Sequence, residues 1–526
     1  MSVKNQGQVF TPDYIIDMIL DTAHYYGKKI LNQKILEPSF GDGRILTKII
    51  DRFINEGIKE NFSYEIIKEK LEENIYGIEL DTELYKKGQV NIVKHIFDKI
   101  GLYADINLYR SDTLRIYNGF LNYFDYVVGN PPYVNIHNIE DKDTLKSLRF
   151  TKSGMSDLYL AFYEAGIDML NSTGKLCFIA PNAWMFNKAG KDMREYITLY
   201  PILSKIINFG HKQIFEGFTT YTSITLIDKR STYGYVEYEL YESREKTRTI
   251  KYDDLWVGNR FCFDDKRSLI EYREIEKLKF SDFCTVKNGY ATLCDNFFIN
   301  NKDIPDNEYM IDVCKASVLK RYRCFYPYDK DGKFISEDKL KGNKILWKYL
   351  ERNKEKLKKR ANDKNSPWWC FGRTQGISDT YKKKFAVSSI YKTIDDIKIQ
   401  ECEEGVGVYG GLYIVCNCNI KEIEKMLKTE KFMKYVRSLG LLKNGGYYTI
   451  TSKQLQNYLN YIFLTEYLKE GVEVFYKFTF GEMCEKIRIT DKEINEYGIN
   501  YDAVAEDNCE ASFKLSDIGD NVFLKT

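Results

Sequence analysis

The sequence lacks the features that mark membrane proteins, secreted proteins and metal-binding modules. None of its apolar runs is long enough to span a membrane, and residues 1–6 show no signal-peptide pattern. Its 12 cysteines include no C-x-x-C pair, and its four histidines do not cluster. We therefore expect a cytoplasmic, soluble protein with reduced thiols, no structural metal and no membrane partner.

An excess of charge of either sign is also missing. The 526 residues carry 78 basic and 76 acidic side chains, for a net charge of +2, and 44% of the residues are hydrophobic. This composition is typical of a globular protein with two or three domains and a sizeable core. A near-neutral total does not indicate nucleic-acid binding, so a local basic surface is needed to support that function.

The most informative stretch is Asn130-Pro131-Pro132-Tyr133, which follows an apolar run at 124–129 that predicts a buried strand. The two prolines end this strand, since neither can donate a hydrogen bond to a sheet. The motif is therefore predicted to be a rigid loop at the carboxyl end of a strand, where open α/β sheets bind ligands. Two carbonyl acceptors beside an aromatic ring suit a planar amine substrate. Taken alone, the motif is also compatible with a Pro-Pro turn that exposes a tyrosine.

The start of the first predicted helix is a second candidate site. Thr11 is predicted to be its N-cap, Pro12 its first helical residue and Asp13 an acid in its first turn. The amino terminus of a helix favours a bound carboxylate, although an ordinary well-capped helix explains the same residues.

A glycine-rich loop follows the first predicted strand. The strand at 35–36 precedes a loop at 37–43 with an acid, a proline and a Gly-x-Gly sequence, and a helix is predicted at 44–53. The third glycine of the dinucleotide fingerprint is missing. This pattern favours a ligand with a cationic group near Glu37 over a pyrophosphate.

Two further predicted strands end in acids. The strand at 75–81 carries Glu79, with Asp81 as the alternative, and an acid at this position suits ribose hydroxyls. The strand at 106–112 ends in Asp112, which suits an adenine amino group. A solvated strand-end acid is an equally good explanation for any one of them.

These repeated strand ends predict a doubly wound, mostly parallel α/β sheet with an adenosine-type ligand at its carboxyl edge. Phe215 and Phe218 precede the last strand, and either could pack in the core or face Tyr133 across a base. The other predicted elements are a mobile loop at 152–157, a helix at 158–170, and strands at 174–181, 205–209 and 222–227.

Taken in order, these segments resemble the S-adenosylmethionine-dependent DNA methyltransferases of restriction-modification systems that act on the N6 amino group of adenine. The order resembles the gamma arrangement, in which the first helix and the cofactor motifs precede the catalytic motif and the target-recognition region. The resemblance covers roughly the first 230 residues and implies a seven-stranded catalytic domain over residues 1–250. Its first loop departs from the commoner small-residue pattern at Ser39, Phe40 and Asp42, which leaves the contact of Phe40 open.

The resemblance implies a role for each candidate residue. The target amino group would donate to Asn130 and to the Pro131 carbonyl, in the loop that Pro132 makes rigid. Tyr133 would stack on the flipped base, and Phe215 would face it. The cofactor, S-adenosylmethionine, would contact Thr11, Glu37, Pro38, Gly41, Glu79, Asp112 and Asn130.

The implied chemistry requires positioning and electrostatics. Two acceptors on the amino group would pull its nitrogen toward tetrahedral geometry and free its lone pair for an in-line displacement. Neither a metal nor a covalent enzyme intermediate is expected. Because the target amine lies inside double-stranded DNA, the base must first flip out of the helix.

The second half is expected to be a mixed α+β target-recognition domain over residues 251–463. Taken alone, the basic run at 320–323 is explained better by an exposed charged turn than by DNA binding, and a packed aromatic turn explains 368–377 about as well as DNA binding does. The stretch 341–360 fits a solvated basic helix, a glycine turn is predicted at 444–446, and the acidic appendage at 464–526 has no assigned role. The candidate DNA contacts are Lys320, Arg321, Arg323, Arg373 and Gln375.

Other interpretations stay open. RNA adenine methyltransferases face the same amino-group problem, and so do release-factor glutamine methyltransferases, which also use Asn-Pro-Pro-Tyr in much shorter chains. A DNA-binding module with a methyltransferase-like scaffold is a further alternative, which the intact candidate residues oppose. No cluster of acids and lysine suggests a nuclease, so a monomer that methylates without cleavage is expected. Neither the DNA site nor a partner endonuclease follows from the sequence.

Overall fold

The computed structural model describes residues 10–135, 142–152, 157–215, 220–230, 234–241, 243, 247–278, 283–363 and 366–467. Residues up to Tyr461 belong to one compact unit, and a second unit begins at Ile462. The described part of the second unit includes a π-helical turn at Phe463–Tyr467. The predicted acidic appendage lies almost wholly outside the described residues, as do residues 153–156 of the predicted mobile loop.

A nine-stranded sheet forms the centre of the first half. Its strands are β1 (Ile35–Glu37), β2 (Ile75–Glu79), β3 (Asn107–Arg110), β4 (Phe124–Gly129), β5 (Leu170–Pro181), β6 (Leu203–Asn208), β7 (Thr222–Asp228), β8 (Tyr235–Leu240) and β9 (Arg248–Lys251). They lie in the order β3-β2-β1-β4-β5-β7-β6-β8-β9, and β7 runs antiparallel to both of its neighbours. The predicted doubly wound, mostly parallel sheet is confirmed, and β8 and β9 extend it beyond β6.

Helices cover both faces of this sheet. The described helices of the first half are α1 (Asp13–Thr22), α2 (Arg44–Lys59), α3 (Tyr64–Asn74), α4 (Thr82–Ile100), α5 (Thr113–Ile116), α6 (Lys142–Ser147), α7 (Leu158–Met169) and α8 (Lys191–Leu199). Successive strand residues point to opposite faces, so Ile35 and Val128 join one core while Leu36 and Val127 join the other. Burial on both faces explains the continuous apolar runs in the sequence.

The predicted start of the first helix is corrected by one position. Pro12, not Thr11, is the N-cap of α1, and its carbonyl accepts from the backbone N–H groups of Ile15 and Ile16 at 3.0 and 3.1 Å. The Thr11 hydroxyl accepts a hydrogen bond from the Asn130 side chain at 3.1 Å.

The second half is built from smaller sheets. Its described strands are β10 (Trp256–Val257), β11 (Arg260–Phe261), β12 (Cys284–Asn288), β13 (Met310–Lys315), β14 (Lys320–Phe325), β15 (Lys384–Val387), β16 (Ile390–Tyr391), β17 (Ile399–Cys402), β18 (Gly407–Tyr409), β19 (Leu412–Cys416), β20 (Leu442–Lys443) and β21 (Tyr447–Thr449). One sheet has the order β12-β19-β15-β17, another has β14-β13-β18, and a third has β16-β21-β20.

The described helices of the second half are α9 (Lys266–Lys277), α10 (Asp295–Phe298), α11 (Glu337–Gly342), α12 (Lys344–Arg352), α13 (Lys354–Lys358), α14 (Ile420–Leu427), α15 (Glu430–Ser438) and α16 (Ser452–Ile462).

The join between the halves is packed. Leu255, Phe261 and Phe263 belong to the same apolar core as Val127 in the nine-stranded sheet. The basic stretch 341–360 forms α12, α13 and part of α11. Among the described residues, no helix is long and apolar enough to cross a membrane.

Candidate active site

A cavity of about 640 Å³ opens at the carboxyl edge of the sheet, where the loops after β1, β2, β3 and β4 meet. Its volume lies in the range of small-molecule and cofactor sites. Parallel strands bring their carboxyl ends to one edge, which is why residues distant in sequence meet here. The predicted site residues that line it are Thr11, Glu37, Pro38, Gly41, Glu79, Asp112, Asn130, Pro131 and Pro132.

The first loop is held against α4 by an aromatic side chain. Phe40 is 3% exposed and packs against the Tyr85 ring at a centroid distance of 5.8 Å. A Cβ atom added to Gly77 or Gly88 would lie 2.8 or 2.7 Å from the Phe40 ring. The contact of Phe40, which the sequence left open, is therefore a packing contact in the core. Gly77 on β2 and Gly88 on α4 leave the space that its ring occupies.

Glu79 ties this loop to the end of β2. Its two carboxylate oxygens accept hydrogen bonds from the backbone N–H groups of Gly41 and Asp81, both at 2.8 Å. Burial raises the pKa of Glu79, while these amide donors lower it. Asp81 caps α4 by accepting from the backbone N–H groups of Glu83 and Leu84.

Glu37 is the most deeply buried acid of the cavity. It is 2% exposed, and its Oε2 atom has no hydrogen-bond partner among the described residues. Burial, together with the nearby Glu79 carboxylate, raises the pKa of Glu37 well above its ordinary value. A buried carboxylate with an unused oxygen fits a ligand that carries a positive charge or an N–H donor.

Asp112 also lines the cavity. One of its carboxylate oxygens accepts from the Leu114 backbone N–H at 2.9 Å and so caps α5. Its side chain is about one-third exposed, at 34%, and lines the cavity. It can accept a further donor from a ligand, because a carboxylate offers about four lone-pair sites.

The Asn130 side chain is oriented by the segment before α1. Its Nδ2 atom donates to the Thr11 hydroxyl at 3.1 Å, and its backbone carbonyl accepts from the Ser39 hydroxyl at 3.4 Å. Because the amide nitrogen faces Thr11, the carbonyl oxygen is the other end of the group. Asn130 itself lines the cavity, directly before Pro131, and its side-chain oxygen is buried.

Tyr133 and Phe215 contact each other edge to face. Their ring centroids are 6.1 Å apart and their planes meet at 65°, so the two rings do not form a parallel sandwich in this arrangement. The Tyr133 hydroxyl donates to the Ile179 carbonyl at 3.2 Å, and its burial raises the pKa of Tyr133 well above its ordinary value. Phe218, the other aromatic candidate, lies outside the described residues. Stacking on a base stays a prediction.

Two exposed apolar residues that line the cavity were not predicted from the sequence. Phe10 is 51% exposed beside Thr11, and Leu80 is 67% exposed between Glu79 and Asp81. Exposed apolar side chains that line a cavity suit the flat face of a heterocycle. The sequence pattern that could have predicted them is an aromatic residue directly before Thr-Pro, for Phe10, and an apolar residue between two acids at the end of a strand, for Leu80.

The candidate DNA contacts fall into two groups. Lys320, Arg321 and Arg323 lie on β14, in a strand instead of a turn, and their side chains are exposed. Arg373 and Gln375 lie on another surface, where they line a polar groove of about 560 Å³. Arg373 and Gln375 therefore lie in one groove, and the basic residues of β14 do not line that groove.

Comparison with known proteins finds similarity to methyltransferases of restriction-modification systems. A family model described as Eco57I restriction-modification methylase matches residues 26–215. The type II methyltransferase M.BstVI of Geobacillus stearothermophilus is 26% identical over 423 residues, which cover 70% of this chain and 74% of that protein. The Escherichia coli restriction enzyme and methyltransferase RM.Eco57I is 26% identical, and the match covers 82% of this chain but 54% of that protein.

A solved structure supports the fold. The type IIL restriction-modification enzyme MmeI in complex with DNA has a TM-score of 0.55 and 15% identity, over 88% of this chain and 76% of that one. The match supports a mixed α/β fold with a large, mostly parallel sheet. The resemblance to restriction-modification DNA methyltransferases is confirmed by the family model and by the type II relatives.

Proposed function

We propose that this chain is a site-specific DNA methyltransferase that transfers a methyl group from S-adenosylmethionine to the N6 amino group of a flipped-out adenine. The observation that carries the proposal is the placement of Asn130 at the wall of an acid-lined cavity, with its amide held by Thr11. The relatives named as type II methyltransferases favour DNA as the substrate.

The cavity fits the cofactor through its charges and its apolar walls. S-adenosylmethionine would supply the reactive methyl group on a positively charged sulfur. The Glu37 carboxylate, with its unused oxygen, would hold the cationic methionine end, and Thr11 lies nearby with Pro38 and Gly41. Glu79 would accept from the ribose hydroxyls, and the walls near Leu80 and Asp112 would hold the adenine ring and its amino group.

The chemistry assigned to this chain is alignment and polarisation of the target amine. The Asn130 side-chain carbonyl and the Pro131 carbonyl would accept its two hydrogens, which concentrates the nitrogen lone pair on the side of the methyl group. Pro131 and Pro132 keep the acceptors in place without reorganisation. Tyr133 and Phe215 would separate to hold the base, since their present contact leaves no space between the rings.

The proposal extends to the whole described chain. Residues 1–250 would bind the cofactor and the target base, residues 251–463 would recognise duplex DNA, and the role of 464–526 stays unassigned. Arg373 and Gln375 share a groove that suits base edges, while the side chains on β14 suit phosphates. The protein would act as a monomer in the cytoplasm.

Transfer of labelled methyl groups from S-adenosylmethionine to duplex DNA tests the proposal. Wild-type protein should produce N6-methyladenine, and Asn130→Ala should lose at least about 100-fold in rate, as removal of a charge-stabilising contact usually does. Asn55→Ala, at an exposed position of α2, is the matched control. Label in RNA or in a protein glutamine, with none in DNA, would overturn the proposal in favour of the alternative substrate.

A further inference from the structure

The glycine turn predicted at 444–446 forms the tip of a hairpin that has no role in the site described above. Its strands, β20 and β21, pair Lys443 with Tyr447, and Gly445 and Gly446 have φ values of +80° and +79°. Positive φ at these positions suits glycine and closes a short hairpin loop. We call this element hairpin 442–449.

Hairpin 442–449 and its lead-in residue Gly440 contact three separate loops of the catalytic sheet. The Tyr221 hydroxyl donates to the Lys443 carbonyl at 2.5 Å. The Phe186 ring packs so closely on Gly440 that an added Cβ atom would lie 2.3 Å from it, and the His211 ring lies 3.5 Å from the corresponding position of Gly446. The hairpin is therefore held on the catalytic domain by contacts that span several loops.

These loops belong to the edge of the sheet that carries the Asn-Pro-Pro-Tyr motif. Phe186 follows β5, His211 follows β6 and Tyr221 precedes β7, which runs in the opposite direction. The Tyr133 hydroxyl binds the carbonyl of Ile179 on β5, two residues before Pro181, where that strand ends. The hairpin thus lies beside the place proposed for the flipped base.

A cavity of about 580 Å³ separates the hairpin from this edge. Asn182 and Tyr221 line it from the catalytic side, while Lys443, Asn444 and Tyr447 line it from the hairpin. No acidic side chain is among the described residues that line it. A wall of this kind is electrostatically suited to a polyanion.

The exposed side chains of the hairpin have the chemistry of DNA contacts. Lys443 and Asn444 are both exposed. The Lys392 ammonium lies 5.8 Å from the centre of the exposed Tyr447 ring. Amide side chains read base edges, and lysines bind phosphates.

We propose that hairpin 442–449 determines specificity next to the target base, with Asn444 reading the edge of a neighbouring base pair and Lys443 binding a backbone phosphate. The assignment rests on the proposed function, because it needs duplex DNA to enter the cleft. It adds a recognition element that is attached to the catalytic domain, distant in sequence from Arg373 and Gln375.

The test maps methylated positions in genomic DNA from a host without adenine methylation, after treatment with each purified full-length protein. Asn444→Ala should still methylate but should lose about 5- to 150-fold discrimination at one motif position near the modified base. Lys443→Gln should keep the motif, raise the KM for DNA severalfold and lower the salt slope of binding by about one. Asn55→Ala and Lys94→Gln, both exposed on catalytic-domain helices, are the matched controls.

The outcomes separate this inference from the function on which it rests. A wild-type protein that leaves the DNA unmodified would overturn the proposed function and the hairpin's role with it. A wild-type protein that methylates, beside an Asn444→Ala protein with an identical motif, would overturn the hairpin's role alone. Complete loss of methylation by folded Asn444→Ala, as judged by unchanged thermal unfolding, would also overturn the readout role.

Discussion

The Asn130 side-chain amide donates a hydrogen bond to the Thr11 hydroxyl at 3.1 Å, across 119 positions of the chain. This bond connects the loop after β4 to the residue before the N-cap of α1. It fixes the orientation of the Asn130 amide, because an amide that donates on one side carries its carbonyl on the other.

Thr11→Val should lower kcat without unfolding the protein. Loss of one hydrogen bond of about 1 kcal/mol corresponds to about a fivefold loss of the correctly oriented Asn130 amide. Thr11→Ser keeps the hydroxyl and should restore most of the rate. Steady-state methyl transfer at saturating cofactor is the measurement. Equal rates for the valine and serine variants would show that the bond does not orient Asn130.

Glu37→Gln should change how the stability of the ligand-free protein depends on pH. Burial raises the folded-state pKa of Glu37 above its unfolded value, so the folded protein holds this proton more tightly. That contribution to stability is fully present below the unfolded pKa, about 4.3, and is lost as pH rises through the folded pKa. Glu37→Gln has no carboxyl group at this position, so it does not lose this stability as the pH rises. The Tm of the variant minus the Tm of wild type should therefore increase from pH 5 to pH 8.

Thermal unfolding at both pH values, with and without S-adenosylmethionine, provides the measurement for Glu37. Glu69→Gln, at an exposed position of α3, is the control and should follow wild type. The Glu37→Gln variant should also bind the cofactor about 10- to 100-fold more weakly, the usual cost of losing a hydrogen bond to a charged group. A Tm difference from wild type that is constant with pH would contradict the expectation.

Gly88→Ala should destabilise the first loop. The new Cβ atom would lie 2.7 Å from both the Phe40 ring and the Gly41 carbonyl oxygen, and the backbone atom cannot move aside cheaply. Overpacking of this kind costs about 1–3 kcal/mol. Chemical denaturation and cofactor titration should both show the loss. Gly119→Ala, where nothing lies within 4 Å, should leave both quantities unchanged.

Comparison of Tyr133→Phe with Tyr133→Ala should distinguish the contribution of the Tyr133 ring from that of its hydroxyl. The hydroxyl donates to the Ile179 carbonyl at 3.2 Å, so its removal should cost about 1 kcal/mol of stability and little activity. Removal of the ring should lower kcat/KM for DNA by about 10-fold or more, since stacking on a base contributes about 1–3 kcal/mol. A phenylalanine variant as slow as the alanine variant would argue against a stacking role.

The local sequence was sufficient to predict the α/β architecture of the first half of the chain. Apolar strands that end in acids, glycines or Asn-Pro-Pro-Tyr predict a parallel sheet with its ligands at one edge, because chain direction alone brings such ends together. The strand ends near Glu37, Glu79, Asp112 and Asn130 all line the same cavity. Their roles toward a cofactor and a base stay predictions.

The tertiary structure decided what local patterns leave open. The sequence alone suggested Thr11 as a helix cap, but Pro12 holds that position, and the Thr11 hydroxyl accepts from Asn130, which lies 119 positions away. The contact of Phe40 depends on glycines at 77 and 88, which are invisible as partners until the strand and helix pack. The attachment of hairpin 442–449 to Tyr221 likewise depends on two halves meeting in space. Short-range preferences specify elements and their order, whereas contacts between distant residues are specified only when the fold brings them together.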